Sequence, residues 1–273
     1  MFEEGKHNSC LQGFYEQGSC VKSTAVKDFE LIAITDTASC PRSLVKQVER
    51  LAGCTHKPNK LILRAKDLST EEYGNLAQQV LPLCQRNDIE LILHSHWQIA
   101  LELGITQVHM PLPLLPQMPE EAQAFFNHGT ELAKACHKHQ SDEISPNAKG
   151  KQKRANHPLL STSVHSVAEA EQALKLGANA LIAGHIYATN CKAGLPPRGL
   201  EFLQSICACV RQKQAEAMGK ATWLAEAQVP SQAIPQAIPV YAIGGIGFDE
   251  KQWQELRDSG ACGACIMSAY MKI

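Results

Sequence analysis

From Phe29 onward the chain alternates two patterns. Short apolar runs bounded by polar or Gly-containing turns give way to stretches whose apolar residues return every three or four positions. The first pattern predicts buried strands and the second predicts amphipathic helices. Strands are predicted at 30–35 (ELIAIT), 60–65 (KLILRA), 89–93, 106–110, 159–164, 180–184, 238–243 and 261–267. Helices are predicted at 41–51, where Leu44, Val45, Val48 and Leu51 share a face, and from Ser69 to about Cys84. Others follow as a short one through Ala100 and at 119–137, 168–176, 200–210 and 251–259. Ser69 and Glu72 stand at capping-box spacing, which fixes where the second helix begins.

Eight strands in regular alternation with helices specify an α/β fold, a parallel TIM (β/α)8 barrel, rather than an open sheet. The eighth helix reads as truncated, because Ile273 follows the last strand almost at once. The face it would cover is expected to lie against an N-terminal extension or a partner subunit. Three segments fall outside the alternation: an extension at 1–28, and insertions on the barrel at about 138–157 and 211–236. The first insertion is polar and basic, with Lys149, Lys151, Lys153 and Arg154, and reads as a solvated loop without interleaved aromatics for nucleic acid. The second is rich in Ala and Gln, with added helix expected around Trp223.

Composition narrows the partner. Lys and Arg total 26 against 27 acids, so no global charge draws the chain to nucleic acid or membrane, and a small molecule is expected. Eleven cysteines, an odd number without metal-type spacing, together with the absence of a secretory leader or long apolar span, point to a reducing cytoplasm. Most of these thiols read as small core hydrophobes, and Cys191 as a loop residue near the site.

Chemistry in barrels collects at the carboxyl ends of the strands. Ser163-Val164-His165-Ser166 ends the fifth strand, and Gly184 to Gly194 (GHIYATNCKAG) follows the sixth, bringing Thr189 and Lys192 to the same end. Arg64 and Lys66 end the second strand, where the choice is between pocket cations and a solvated pair with Asp67. Gly244-Gly245 after the seventh strand and Met267-Ser268 after the eighth sit where barrels commonly hold a phosphate on backbone N–H groups. His94, His96 and His109 suggest zinc, but no thiolate or carboxylate motif completes a ligand set. An imidazole with an ordinary pKa of about 6.5 can take and return a proton near neutrality, which makes His165 the candidate acid/base.

Ser163 to Ser166, Gly184 to Gly194 and Arg198-Gly199-Leu200 resemble the thiamine phosphate synthase/TenI family, and within it the TenI-like thiazole tautomerases; the likeness extends over roughly 29–270. It implies that Arg64, Lys66, Ser163, Thr189, Lys192, Gly244, Gly245, Met267 and Ser268 contact a thiazole phosphate. His165 would aromatise a dihydrothiazole carboxylate phosphate by proton transfer, and His185 would stand behind the contacts. The family's synthases carry Asn-Asp-Arg where this chain has His94-Ser95-His96, and an acid where Leu114 stands. Those carboxylates hold magnesium against a diphosphate. Their loss implies no cofactor, no magnesium site and the tautomerase branch. The alternatives are a synthase with an unusual metal arrangement, a non-catalytic phosphate-ligand binder, and a remnant of a fused domain. A homo-oligomer is compatible with each.

Overall fold

The computed structural model describes residues 29–128, 157–225 and 237–273. Its strands are β1 (Glu30–Ile34), β2 (Lys60–Leu63), β3 (Glu90–His94), β4 (Gln107–His109), β5 (Leu159–Val164), β6 (Ala180–Gly184), β7 (Val240–Ile243) and β8 (Gly263–Ile266). All neighbours pair in parallel, and β8 returns to β1 through Glu30↔Gly263 to close the barrel. The helices around it are α1 (Leu44–Ala52), α2 (Thr70–Arg86), α3 (Trp97–Glu102), α4 (Glu120–His128), α5 (Val167–Lys175), α6 (Gly199–Ala225), α7 (Glu250–Asp258) and α8 (Ser268–Lys272).

Strand side chains alternate between two cores, as the period of two requires. Ile32, Ile62, Ile92, Ile182 and Cys265 point inward and fill the barrel. Leu31, Leu61, Leu63, Leu91, Leu93 and Leu160 point outward under the helices. The amino end of the barrel is closed by charge. Lys60, 8% exposed, lies 2.8 Å from Glu90 and 3.4 Å from Glu30. Gln107 Nε2 donates to Glu90 at 2.7 Å and Tyr241 Oη to Glu30 at 2.6 Å. A buried cation is tolerated here because its partners are themselves hydrogen-bonded.

The predicted strands and helices are present, with ends displaced by a few residues, and the part of the 119–137 helix beyond His128 lies outside the described residues. Ser69 caps α2 as expected, its hydroxyl accepting from Glu72 N while the Glu72 carboxylate accepts from Ser69 N. One boundary moves far: the helix expected at 200–210 continues unbroken to Ala225, into the supposed second insertion. Ala, Gln, Glu, Lys and Met are strong helix formers, and beyond Val210 the helix extends with mostly exposed residues, so propensity rather than burial sustains it. The extension at 1–28, most of the basic insertion and the remainder of the Ala/Gln insertion lie outside the described residues.

The eighth helix is a single turn, but the face behind it is not bare. Tyr270 and Met271 are buried, as are the outward residues Ala264 and Ile266 of β8. The turn is pinned to α1 and its flanks. Gln47 Nε2 donates to Tyr270 O at 2.5 Å, Arg42 to Ile273 O at 2.7 Å, and Tyr270 Oη to His56 O at 2.8 Å.

Among the described cysteines, Cys84, Cys207, Cys209 and Cys265 are buried and unpaired, and Cys191 is exposed. Burial pushes the Cys84 thiol up to about 12, which keeps it inert. No helix among the described residues is long and apolar enough to cross a membrane.

Candidate functional site

The carboxyl ends of the eight strands form one rim. A cavity of about 510 Å3 opens beside β2 and β3, walled by Arg64, Lys66, His94, Ser95, His96 and Pro111. Arg64 follows β2 and is held on both sides. Its backbone N–H donates to Thr35 Oγ1 at 2.7 Å, and its guanidinium meets Asp36 at 2.5 Å. The expected competitor Asp67 is elsewhere, bonded to Thr37. Asp36 also accepts from the Ser39 hydroxyl at 2.7 Å. Partial burial opposes ionisation of Asp36, yet the bonds from Ser39 and Arg64 hold its carboxyl below the ordinary carboxylate range. Lys66 is exposed, leaving its charge at the cavity wall.

His94 of β3 lines the opening, and His109 of β4 is buried behind it. His94 Nδ1 lies 2.8 Å from Ser95 Oγ, and its ring is 5.4 Å from that of His109. Burial, reinforced by the Arg64 and Lys66 cations, brings His94 down to about 4. Burial beside His94 brings His109 down to about 3. Both rings are therefore neutral at physiological pH. Tyr73 of α2 braces the end of β3: its hydroxyl donates to Leu63 O at 2.6 Å, accepts from His94 N at 3.0 Å, and its ring stacks on His96 at 3.9 Å. Ser95 adopts φ 67°, a left-handed conformation that side chains other than Gly rarely take, and donates its N–H to His109 O at 2.9 Å.

His109 ties this wall to β5. Its Nδ1 lies 3.0 Å from Ser161 Oγ and its Nε2 3.2 Å from Ser163 Oγ. Ser161 Oγ also donates to Val108 O at 3.3 Å. A hydroxyl has one hydrogen, so Ser161 accepts from Nδ1–H, and Nε2 accepts from Ser163. The Ser163 proton is thus engaged inward, and a phosphate contact would require it to leave His109.

The other predicted residues stand on the same rim but do not line that cavity. His165 follows β5, with 37% of its side chain exposed, and its Nδ1 is 3.2 Å from Glu169 Oε2. Thr189 caps a short 3-10 turn at Asn190–Lys192, its hydroxyl accepting from Cys191 N at 3.4 Å, and Lys192 is half-buried. His185 is buried, with Nε2 3.4 Å from Leu195 O.

Gly244 and Gly245 take φ 103° and 69°. A Cβ at Gly244 would stand 2.3 Å from His185 Cβ, and one at Gly245 2.4 Å from Ala188 O. Glycine is required there so that the loops after β6 and β7 can touch, a reason independent of any anion. Met267 precedes α8 and Ser268 begins it, exposed.

Sequence reasoning passed over Glu169, Tyr73 and Ser161. Glu169 had a signal, its place three residues after the helix-capping Ser166 and four after His165. Tyr73 and Ser161 had none, since their contacts join separate elements.

The cavity offers two cations, neutral imidazoles and a hydroxyl. Magnesium needs hard oxygen donors, chiefly carboxylates. Asp36 is occupied by Arg64 and Ser39, and Leu114 packs against the outer core. These side chains do not fit magnesium. Among the described residues no group of three or more His, Cys, Asp or Glu is arranged to hold a metal.

A family model described as thiamine monophosphate synthase matches residues 31–141 and 120–270. The thiamine-phosphate synthase of Herpetosiphon aurantiacus is 29% identical over 250 residues, spanning 89% of each chain. That of Syntrophomonas wolfei is 24% identical over 246 residues, again spanning 89% of each. Among solved structures, thiamine phosphate pyrophosphorylase from Pyrococcus furiosus superposes with a TM-score of 0.55 at 23% identity, covering 92% of this chain and 91% of that one.

Proposed function

Because the chain belongs to the thiamine monophosphate synthase family, we propose that it acts in thiamine biosynthesis as a thiazole tautomerase, aromatising a dihydrothiazole carboxylate phosphate by metal-free proton transfer. The observation that carries this reading is the donor set of the cavity, where Arg64 and Lys66 supply positive charge and no side chain suits magnesium. Cations alone can hold a phosphate or carboxylate, whereas a diphosphate leaving group normally needs a metal.

In this reading His165 takes the proton from the ring carbon that bears the carboxylate. The electron pair moves through the ring, and the imidazolium returns a proton to the exocyclic carbon, so no atom is gained or lost. Lys192 faces the substrate's carboxylate or phosphate, with Thr189 and Ser163 as polar neighbours and Gly244, Gly245, Met267 and Ser268 as the far anchor. Aromaticity supplies the driving force, so one well-placed base suffices.

The names of the relatives favour the second reading, a synthase that joins a pyrimidine diphosphate to thiazole phosphate. One experiment separates the two. Incubated with EDTA and the dihydrothiazole substrate, the protein is expected to form the aromatic thiazole, and His165→Gln to lose about 100-fold or more in kcat. Absence of conversion, with magnesium-dependent formation of thiamine phosphate from the two synthase substrates, would overturn the proposal.

A further inference from the structure

Glu169 is assigned no role by the sequence motifs, yet it holds the one imidazole on which the proposed chemistry depends. It lies in the first turn of α5, where the helix N-terminus favours negative charge, and its backbone N–H is capped by Ser166 Oγ at 3.1 Å. From there its side chain turns back toward β5. One carboxylate oxygen, Oε2, accepts from the His165 backbone N–H at 2.7 Å and lies 3.2 Å from His165 Nδ1. Main chain and ring of the same residue are therefore fixed by a single atom.

We propose that Glu169 is a positioning residue that sets the tautomer of His165 and balances the charge formed on it; this rests on the tautomerase reading. An ionised carboxylate has no hydrogen to give, so a bond between Oε2 and Nδ1 requires the hydrogen on Nδ1. In the neutral ring the lone pair then sits on Nε2, the nitrogen that Glu169 does not engage. When Nε2 takes the substrate's proton, the resulting imidazolium donates Nδ1–H to a carboxylate already in place. When the proton is returned, the ring recovers the same tautomer, ready for another turnover. The pair is partly exposed, at 37% and 38%, so solvent screens it and the expected effect is moderate.

The test reads the tautomer and the rate separately. In protein labelled with 15N-histidine at pH 8, where an ordinary imidazole is neutral, the resonances lost in H165N identify His165. They are expected to show hydrogen on Nδ1 in the wild type and mainly on Nε2 in Glu169→Ala. The same variant is expected to lose roughly three- to tenfold in kcat with KM unchanged. Glu169→Gln keeps an acceptor oxygen without the charge, so it should retain the Nδ1 tautomer while losing part of kcat. A wild-type His165 carrying its hydrogen on Nε2, or a Gln variant with the wild-type rate, overturns the assignment and leaves the tautomerase reading intact. If the protein converts no dihydrothiazole, that reading fails instead, and the tautomer measurement decides the role of Glu169 alone.

Discussion

At the scale of single residues, the pair His94 and His109 shows how position converts a common side chain into an unusual one. Both are held neutral, at about 4 and about 3, chiefly by burial, to which the Arg64 and Lys66 cations add at His94. In the unfolded chain they would titrate near 6.5. Between those values the unfolded state binds more protons than the folded state, so stability rises with pH across the window and falls on acidification. On the order of 1–2 kcal/mol per imidazole should be lost by pH 5. Thermal unfolding followed from pH 7.5 to 5 should show this fall, and His109→Asn, less stable at pH 7.5, should show a flatter dependence. An equal slope in both proteins would mean that His109 is reached by solvent. Of this pair the sequence displayed only their membership, with His96, of a histidine set that resembles a metal motif. The serine partners of His109 lie 52 and 54 positions away in the chain, and no local pattern marks these contacts.

At the scale of elements, most of the barrel could be read in advance because each strand and helix carries its own period. The capping box shows how local that information is. Ser69 and Glu72 exchange bonds across three residues, at 3.3 and 2.8 Å, without help from the rest of the fold. Ser69→Ala should therefore cost about 1 kcal/mol, or about 2–4 °C in Tm by differential scanning calorimetry. A loss below 0.5 °C would show that the Glu72 half of the box carries the cap. Where elements touch, local patterns say less. Gly-Gly after a strand suits an anion, and the sequence offers no other reason for Gly244 and Gly245. The approach of the β6 loop is a sufficient reason for both, and only the folded chain displays it. The end of α6 was misplaced for a different reason, since burial marks a helix only as far as Val210 and propensity carries it on.

For the molecule as a whole, closure of the barrel and the polar floor depend on one another. Lys60, Glu30 and Glu90 begin three adjacent strands and meet only because β1, β2 and β3 are in register. Lys60→Ala would leave two half-buried carboxylates without their cation, a loss of up to about 3 kcal/mol. Denaturant titration should show the midpoint shifting without a change in slope. A variant as stable as the wild type would mean that water already reaches the floor.

That floor also dictates how molecules come and go. With its lower end sealed by a lysine, two glutamates, an amide and a phenol, and its middle filled by isoleucines, the barrel has only a shallow bowl at its upper mouth. Whatever enters must depart by the same doorway, so a newcomer waits until the previous occupant has left.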